Sequence, residues 1–202
     1  MRLWIVDGLH LGAGSTTPDD ARVEVARVHR QNGVEVVPGS SLKGVLRTRA
    51  EYICRVLGLA ACLDQRCGDC RPCGLFGFTA VDGRARRARA RIAVHASTIV
   101  GAVVRPRQHV ALDRFTGDAR PSALYTLDVV TDGVLRLRVD ALDVLAPGDV
   151  ELLHAVLCDL DDGLVGIGAR TTSGLGTVRV DDRDWRRPDL TALAVHLTNE
   201  AR

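Results

Sequence analysis

The stretch PGSSLKGVLRTRAEYICRVLGL, Pro38 to Leu59, decides the fold, because it is the longest helical pattern in the chain and everything else is arranged around it. Leu42, Val45, Leu46, Ile53 and Leu57 recur at the spacing of one helix face, and the turn Pro38-Gly39 precedes them. The pattern predicts a helix with Ser40 or Ser41 as its N-cap. Its polar face carries Lys43, Arg47 and Arg55, so free backbone amides and cations are expected together at the helix start.

Upstream, Arg2 to Leu11 reads as a strand, broken by GAGSTTPDD. Residues Arg22 to Val28 and Val34 to Val37 then flank Arg30-Gln31-Asn32-Gly33, where Asn-Gly is a hairpin signal. Downstream, Ile92 to Val104 and His109 to Val144 are rich in Val, Ile and Leu, with turn signals at Thr116-Gly117 and Asp132-Gly133. They predict several antiparallel strands.

Pro147-Gly148-Asp149 announces a second helix capped by Asp149, with Leu152, Leu153, Val156, Leu157 and Leu160 as its buried stripe. Five glycines follow within Gly163 to Gly176, leading into a strand at Thr177 to Val180. The order strand, helix, strands, helix, strand predicts an α+β protein. Its core is a ferredoxin-like, RRM-like βαββαβ unit enlarged by insertions after the first strand and the first helix.

The 202 residues fit one domain, and 46% hydrophobic with 26% charged residues is an ordinary globular composition that excludes wholesale disorder. Only two Trp, two Tyr and three Phe occur, which argues against nucleic-acid binding that depends mainly on aromatic platforms. Charge is unevenly placed. Gly83 to Leu112 holds seven arginines and no acid, whereas Asp140 to Arg202 holds twelve acids against six arginines. Lys43 is the only lysine among 27 basic residues. No apolar run approaches a membrane span and the first residues lack a signal-peptide pattern, so a cytoplasmic protein without membrane contact is expected.

Three motifs carry chemistry. Cys62, Cys67, Cys70 and Cys73 place four thiols within twelve residues, separated by Gly, Asp, Arg and Pro, a spacing suited to a tetrahedral Zn2+. Four thiolates would fill the shell and leave no open position, so the zinc is expected to be structural. An iron–sulfur cluster fits the spacing less well, and Cys54 and Cys158 read as core residues. The second motif is Pro38 to Gly44, where Ser40, Ser41 and Lys43 at a helix start suit a phosphate. The third is Gly166 to Gly176, where Arg170, Thr171, Thr172, Ser173 and Gly174 offer charged and neutral donors on a backbone that permits close approach. It lacks the Gly-Lys-Ser/Thr ending of a Walker loop.

With these motifs stand GLHLG (Gly8 to Gly12), PGSSLKGVLR (Pro38 to Arg47), the cysteine segment running into LFG (Leu75 to Gly77), HVALDRFTGDA (His109 to Ala119) and GARTTSGLGTV (Gly168 to Val178). Together and in this order the chain resembles the RAMP superfamily, specifically the repeated backbone subunit of type III CRISPR effector complexes. The resemblance implies a single RRM-like domain over residues 1–202. Within it stand an inserted loop and hairpin at 12–37, a zinc knuckle at 61–78 and a thumb-like hairpin at 105–125, with Arg114 and Phe115 separating guide bases.

Implied partners are the crRNA guide, a target single-stranded RNA, further copies of the chain and other type III subunits. The resemblance also implies an aspartate upstream of PGSSLKG that supports Mg2+-dependent target cleavage. Asp20, Asp19 and Glu24 are the candidates in that order, and an unreactive structural subunit is the alternative. A third reading is an endonuclease that processes the precursor guide transcript with a histidine base, His10, His29, His95 or His109. A zinc-ribbon protein on duplex DNA is the remaining one.

Overall fold

The computed structural model describes residues 1–12, 24–26, 28–63, 67–79, 87–181, 183 and 185–199. In chain order the elements are β1 (Arg2–Ile5), β2 (Glu24–Ala26), β3 (Arg30–Gln31), β4 (Val34–Val37), α1 (Gly39–Val56), α2 (Arg71–Phe76), β5 (Phe78–Thr79), β6 (Arg87–Ala88) and β7 (Ile92–Val94). They continue with β8 (Ser97–Leu112), β9 (Ala119–Arg136), β10 (Val139–Ala141), α3 (Pro147–Asp161), a 3-10 turn (Thr171–Ser173), β11 (Val178–Val180) and α4 (Leu190–Asn199).

The main sheet runs β11-β1-β9-β8-β4-β3, with β2 added alongside β9. The first four strands of that order pair antiparallel: β11 with β1, β1 with β9, and β9 with β8. With α1 and α3 they form a βαββαβ unit whose first and last strands lie side by side. Alternation along β1 sends Leu3 and Ile5 into the core with Ile99, Leu135 and Val178. Leu42, Leu46, Ala50 and Cys54 of α1, and Leu152, Val156 and Leu160 of α3, close over that face. Arg49 joins the two helices through Asp159 at 2.6 Å. Among the described residues no helix is long and apolar enough to cross a membrane.

Several local expectations change. The N-cap of α1 is Pro38, extended and without a side-chain cap bond, rather than Ser40 or Ser41. Gly39 is pressed against the chain preceding β8, where a Cβ would stand 2.5 Å from the Val94 carbonyl oxygen. The helix therefore starts on the glycine, and both serines belong to its first turn. In α3 the cap is Ala146. Asp149 instead sits in the first turn and accepts the Ala146 N–H at 3.1 Å.

Asp132-Gly133 does not turn the chain. It lies inside β9 at an irregular register where Gly133, at φ 139°, lets the strands close on Ile99. The middle of the chain is consequently one long hairpin, β8–β9. The Asn32-Gly33 turn joins only Arg30–Gln31 to Val34–Glu35, with φ of 52° and 79° at the turn. Residues 24–26 leave that hairpin and lie parallel to β9, Glu24 opposite Tyr125.

Candidate nucleic-acid interface and metal centre

Two of the sequence motifs, about 130 residues apart, meet in one groove. Ser41, Gly44 and Thr48 of α1 line one side, Gly166, Gly168 and Thr171 of the glycine-rich loop line another, and Gly12 and His29 complete a groove of about 610 Å³. A Cβ built at Gly44 meets nothing within 4 Å, so the helix surface there is open. Ser40 is exposed on the same turn and Lys43 is half-buried there.

The loop is held by its backbone rather than by side chains. Ala169 N–H donates to the His10 carbonyl at 2.9 Å, Gly176 N–H to Gly8 at 2.7 Å, and Ile167 N–H to Gly176 at 2.9 Å. At Gly168, φ is +92° and a Cβ would lie 2.5 Å from the His10 oxygen, so only glycine allows this approach. Anchored in this way, the loop projects Arg170, Thr171, Thr172, Ser173 and Gly174 into solvent. Arg170 itself has φ 60°, left-handed for a non-glycine residue, and starts the 3-10 turn.

Arg170 is also tied to the β8–β9 hairpin. Its guanidinium donates to Tyr125 Oη at 3.2 Å and stands 5.0 Å from the ring centroid. Tyr125 in turn stacks on His109, with centroids 5.2 Å apart and ring planes 11° apart. The regular register of this part of β8 places Arg105 and Arg107 on the same face as His109. The acid-free stretch of the sequence thus puts cations beside the glycine-rich loop. Tyr125 carried no signal in the sequence, since its role depends on cross-strand pairing with His109.

At the hairpin tip the Asp113 carboxylate accepts Phe115 N–H at 2.8 Å and Thr116 N–H at 3.1 Å, and these bonds lower its pKa. They form the turn and leave Phe115 87% exposed, with Arg114 5.4 Å from its ring centroid. Arg114 and Phe115 therefore stand beyond the groove, at the end of a two-stranded arm.

Arg47 is a correction. Expected on the polar face with Lys43, it is only 8% exposed. Its Nε donates to Glu51 Oε1 at 2.7 Å, one terminal nitrogen to the Gly77 carbonyl, and the other to Cys73 Sγ at 3.2 Å. Burial opposes its charge, but the hydrogen bond and charge of Glu51 outweigh this and raise its pKa. Packing of α2 against α1 encloses the guanidinium and holds it on protein acceptors, away from the surface where Ser40 and Ser41 are exposed.

The same guanidinium borders the cysteine cluster. The sulfurs of Cys62, Cys67, Cys70 and Cys73 all lie within 4.8 Å of one another. Cys62 Sγ is 3.5 Å from Cys67, 3.6 Å from Cys70 and 3.3 Å from Cys73. A tetrahedron of Zn–S bonds of about 2.3 Å has S···S edges of about 3.8 Å, so small outward movements fit the ion. Backbone N–H groups of Cys67 and Cys70 point at Cys62 Sγ and Cys67 Sγ at 3.2 and 3.4 Å. Burial pushes the Cys70 thiol up, whereas at Cys67 the N–H groups of Asp69 and Cys70 overcome burial and bring it to about 7. Four thiols so crowded cannot all ionise without a cation among them, and the donor set fits one.

Of the carboxylate candidates, Asp19 and Asp20 lie outside the described residues, and Glu24 opens β2 with its backbone beside Tyr125. Among the described residues the four cysteines are the one group of His, Cys, Asp or Glu placed to hold a metal. The histidines are scattered. His10 is buried with Nδ1 2.8 Å from the Asp128 carbonyl, His29 faces the groove, His95 meets Asp140 at 2.8 Å, and His109 Nε2 is buried against protein.

A sequence profile described as the RAMP superfamily matches residues 5–179. The chain belongs to the RAMP superfamily. No curated protein sequence matches it significantly. Among solved structures, a chain of a "Type IV-B CRISPR Complex" superposes on this RAMP protein with a TM-score of 0.59 at 16% identity, covering 94% of this chain and 95% of the other. At that identity the likeness speaks for the fold. The mixed α/β architecture with its antiparallel sheet is that of a RAMP domain.

Proposed function

We propose that this RAMP-superfamily protein is a backbone subunit of a type III CRISPR effector complex, gripping a crRNA guide through its phosphates and presenting it to target RNA. The observation that carries this is the single groove lined by both the first turn of α1 and the glycine-rich loop. Backbone amides and hydroxyls at a helix start, with Lys43 and Arg170 beside them, suit an anionic strand and ignore its base sequence. The RRM-like core supplies the platform. The β8–β9 arm with Arg114 and Phe115 at its tip acts as the thumb that spaces guide bases and meets a neighbouring copy.

The type III assignment follows the sequence motifs, above all ALDRFTGDA at the arm. In this reading Zn2+ at the four cysteines is structural, since thiolates fill its shell, and it fixes α2 against α1 through Arg47. Reduced thiolates suit the cytoplasm. A catalytic Mg2+ finds no fitting carboxylate cluster among the described residues, and no cleavage step is assigned.

The test is guide binding across a salt series. Lys43→Ala and Arg170→Ala should each weaken affinity equally for unrelated guide sequences, and each should reduce the salt slope by about 1. A change in base preference from either substitution would overturn the phosphate role.

A further inference from the structure

The face of the sheet opposite the helices carries a second constellation, away from the groove. Because Leu3 and Ile5 point into the core, Trp4 points the other way, and it is 44% exposed. The register sets Trp4 opposite Arg179 on β11 and opposite Val134 on β9, and Val134 opposite Val100 on β8. The result is a row Arg179–Trp4–Val134–Val100 across four strands, ending on a valine that is 72% exposed. At about 4.8 Å per strand the row is roughly 14 Å long, enough for two unpaired bases.

Two residues along each strand, hence on the same face, Arg2 stands opposite Arg136. These two and Arg138 line a polar cleft of about 610 Å³ where β1 begins and β9 ends. Asp181 holds Arg2 at 3.3 Å and Asp140 holds Arg138 at 2.8 Å. The guanidinium of Arg136 is exposed and has no partner among the described residues.

We propose that this open face binds a single-stranded nucleic acid, with a base stacked on Trp4 and its phosphates in the Arg2–Arg136–Arg138 cleft. The chemistry separates this occupant from a protein. An apolar protein surface would have to desolvate several guanidinium groups around one tryptophan, which is costly. An unpaired strand offers a π face to the indole and anionic oxygens to the arginines. The site shares no residue with the groove assigned to the guide, so it either holds a further stretch of the same strand or a second one.

The full chain carrying Trp185→Phe has Trp4 as its only tryptophan. It is titrated at low salt with single-stranded oligouridylate and, in parallel, with oligodeoxythymidylate, following indole emission and the anisotropy of the labelled strand. Saturable quenching of Trp4 is expected, and it should persist when Lys43→Ala and Arg170→Ala together remove the two cations beside the groove. Equal quenching by both strands assigns recognition to base and phosphate, and stronger quenching by RNA adds the 2′-hydroxyl; both support the site. In the groove-deficient chain, Trp4→Ala should weaken binding about 5- to 150-fold, the range that loss of one base–aromatic stack produces.

Arg136→Glu, at an exposed position, gives a second readout in the otherwise unchanged chain and should weaken the same binding. A strand that binds without altering Trp4 emission overturns the proposal. So does quenching that follows protein concentration alone or added polyglutamate, since the occupant would then be a second copy or an acidic protein. Loss of guide binding by the groove variants with Trp4 quenching intact would separate failure of one site from failure of the other.

Discussion

Replacing Arg47 by Met should cost stability rather than RNA affinity. The substitution keeps the unbranched aliphatic stem of the side chain and removes its charge, so that Glu51, itself buried, loses the Arg47 bond at 2.7 Å. Removing one member of a buried pair typically costs about 3–5 kcal/mol, because the other charge stays out of water. The Gly77 carbonyl also loses a donor, and an unsatisfied buried acceptor adds about 1–3 kcal/mol.

Even the lower figure is a large part of the roughly 5–15 kcal/mol that holds a domain folded. An exposed arginine that only touches RNA would change stability by about 0.5 kcal/mol or less. Urea unfolding of the metal-loaded protein separates the two, and the double variant Arg47→Met/Glu51→Leu should recover most of the loss, since an apolar pair can replace a buried ion pair. A single variant that unfolds within about 1 kcal/mol of the parent, while losing guide affinity, would refute the burial argument and restore Arg47 to the RNA surface.

Zinc should copurify at one ion per chain, and Cys70→Ser should lower thermal stability far more than guide affinity; metal analysis finding iron, or no metal, contradicts the knuckle. Deleting Arg114 to Gly117 should leave guide binding near parental strength but disturb the regular nuclease footprint of assembled copies, and an unchanged footprint would make the arm an ordinary turn. Asp181 is held well below the usual carboxylate range by its bonds to Arg183 and by the charge of Arg2. A depressed folded pKa adds stability that is present above the unfolded value of about 3.9 and is lost as pH falls through it toward the folded value. Between about pH 5 and 3 the parent should therefore lose stability more steeply than Asp181→Asn, as read by thermal melts.

The elements that carry their own periodicity are legible in the amino-acid sequence. Leu42, Leu46, Leu152 and Leu160 announce α1 and α3, and the cysteine spacing announces the cluster, because each signal is local. What was hidden depends on partners distant in sequence. Arg47 reads as a polar-face residue until α2 brings Cys73 and Gly77 over it. Asp132-Gly133 has the composition of a turn, and only packing against Ile99 makes it a strand irregularity. Tyr125 acquires its place from His109 across the hairpin and from Arg170 across the fold. The short α2 and the C-terminal α4 leave no such local pattern, the first because six residues give no periodicity and the second because its buried face is little more than Leu193 and Leu197.

The central claim is that one RNA strand crosses the groove between α1 and the glycine-rich loop, and ultraviolet cross-linking of the guide-bound protein followed by peptide mass spectrometry tests it most directly. Cross-links are expected in both peptides, the one containing Ser40 to Thr48 and the one containing Gly166 to Gly174. Cross-links confined to the cysteine segment or to α4, with both of those peptides unmodified, would contradict it.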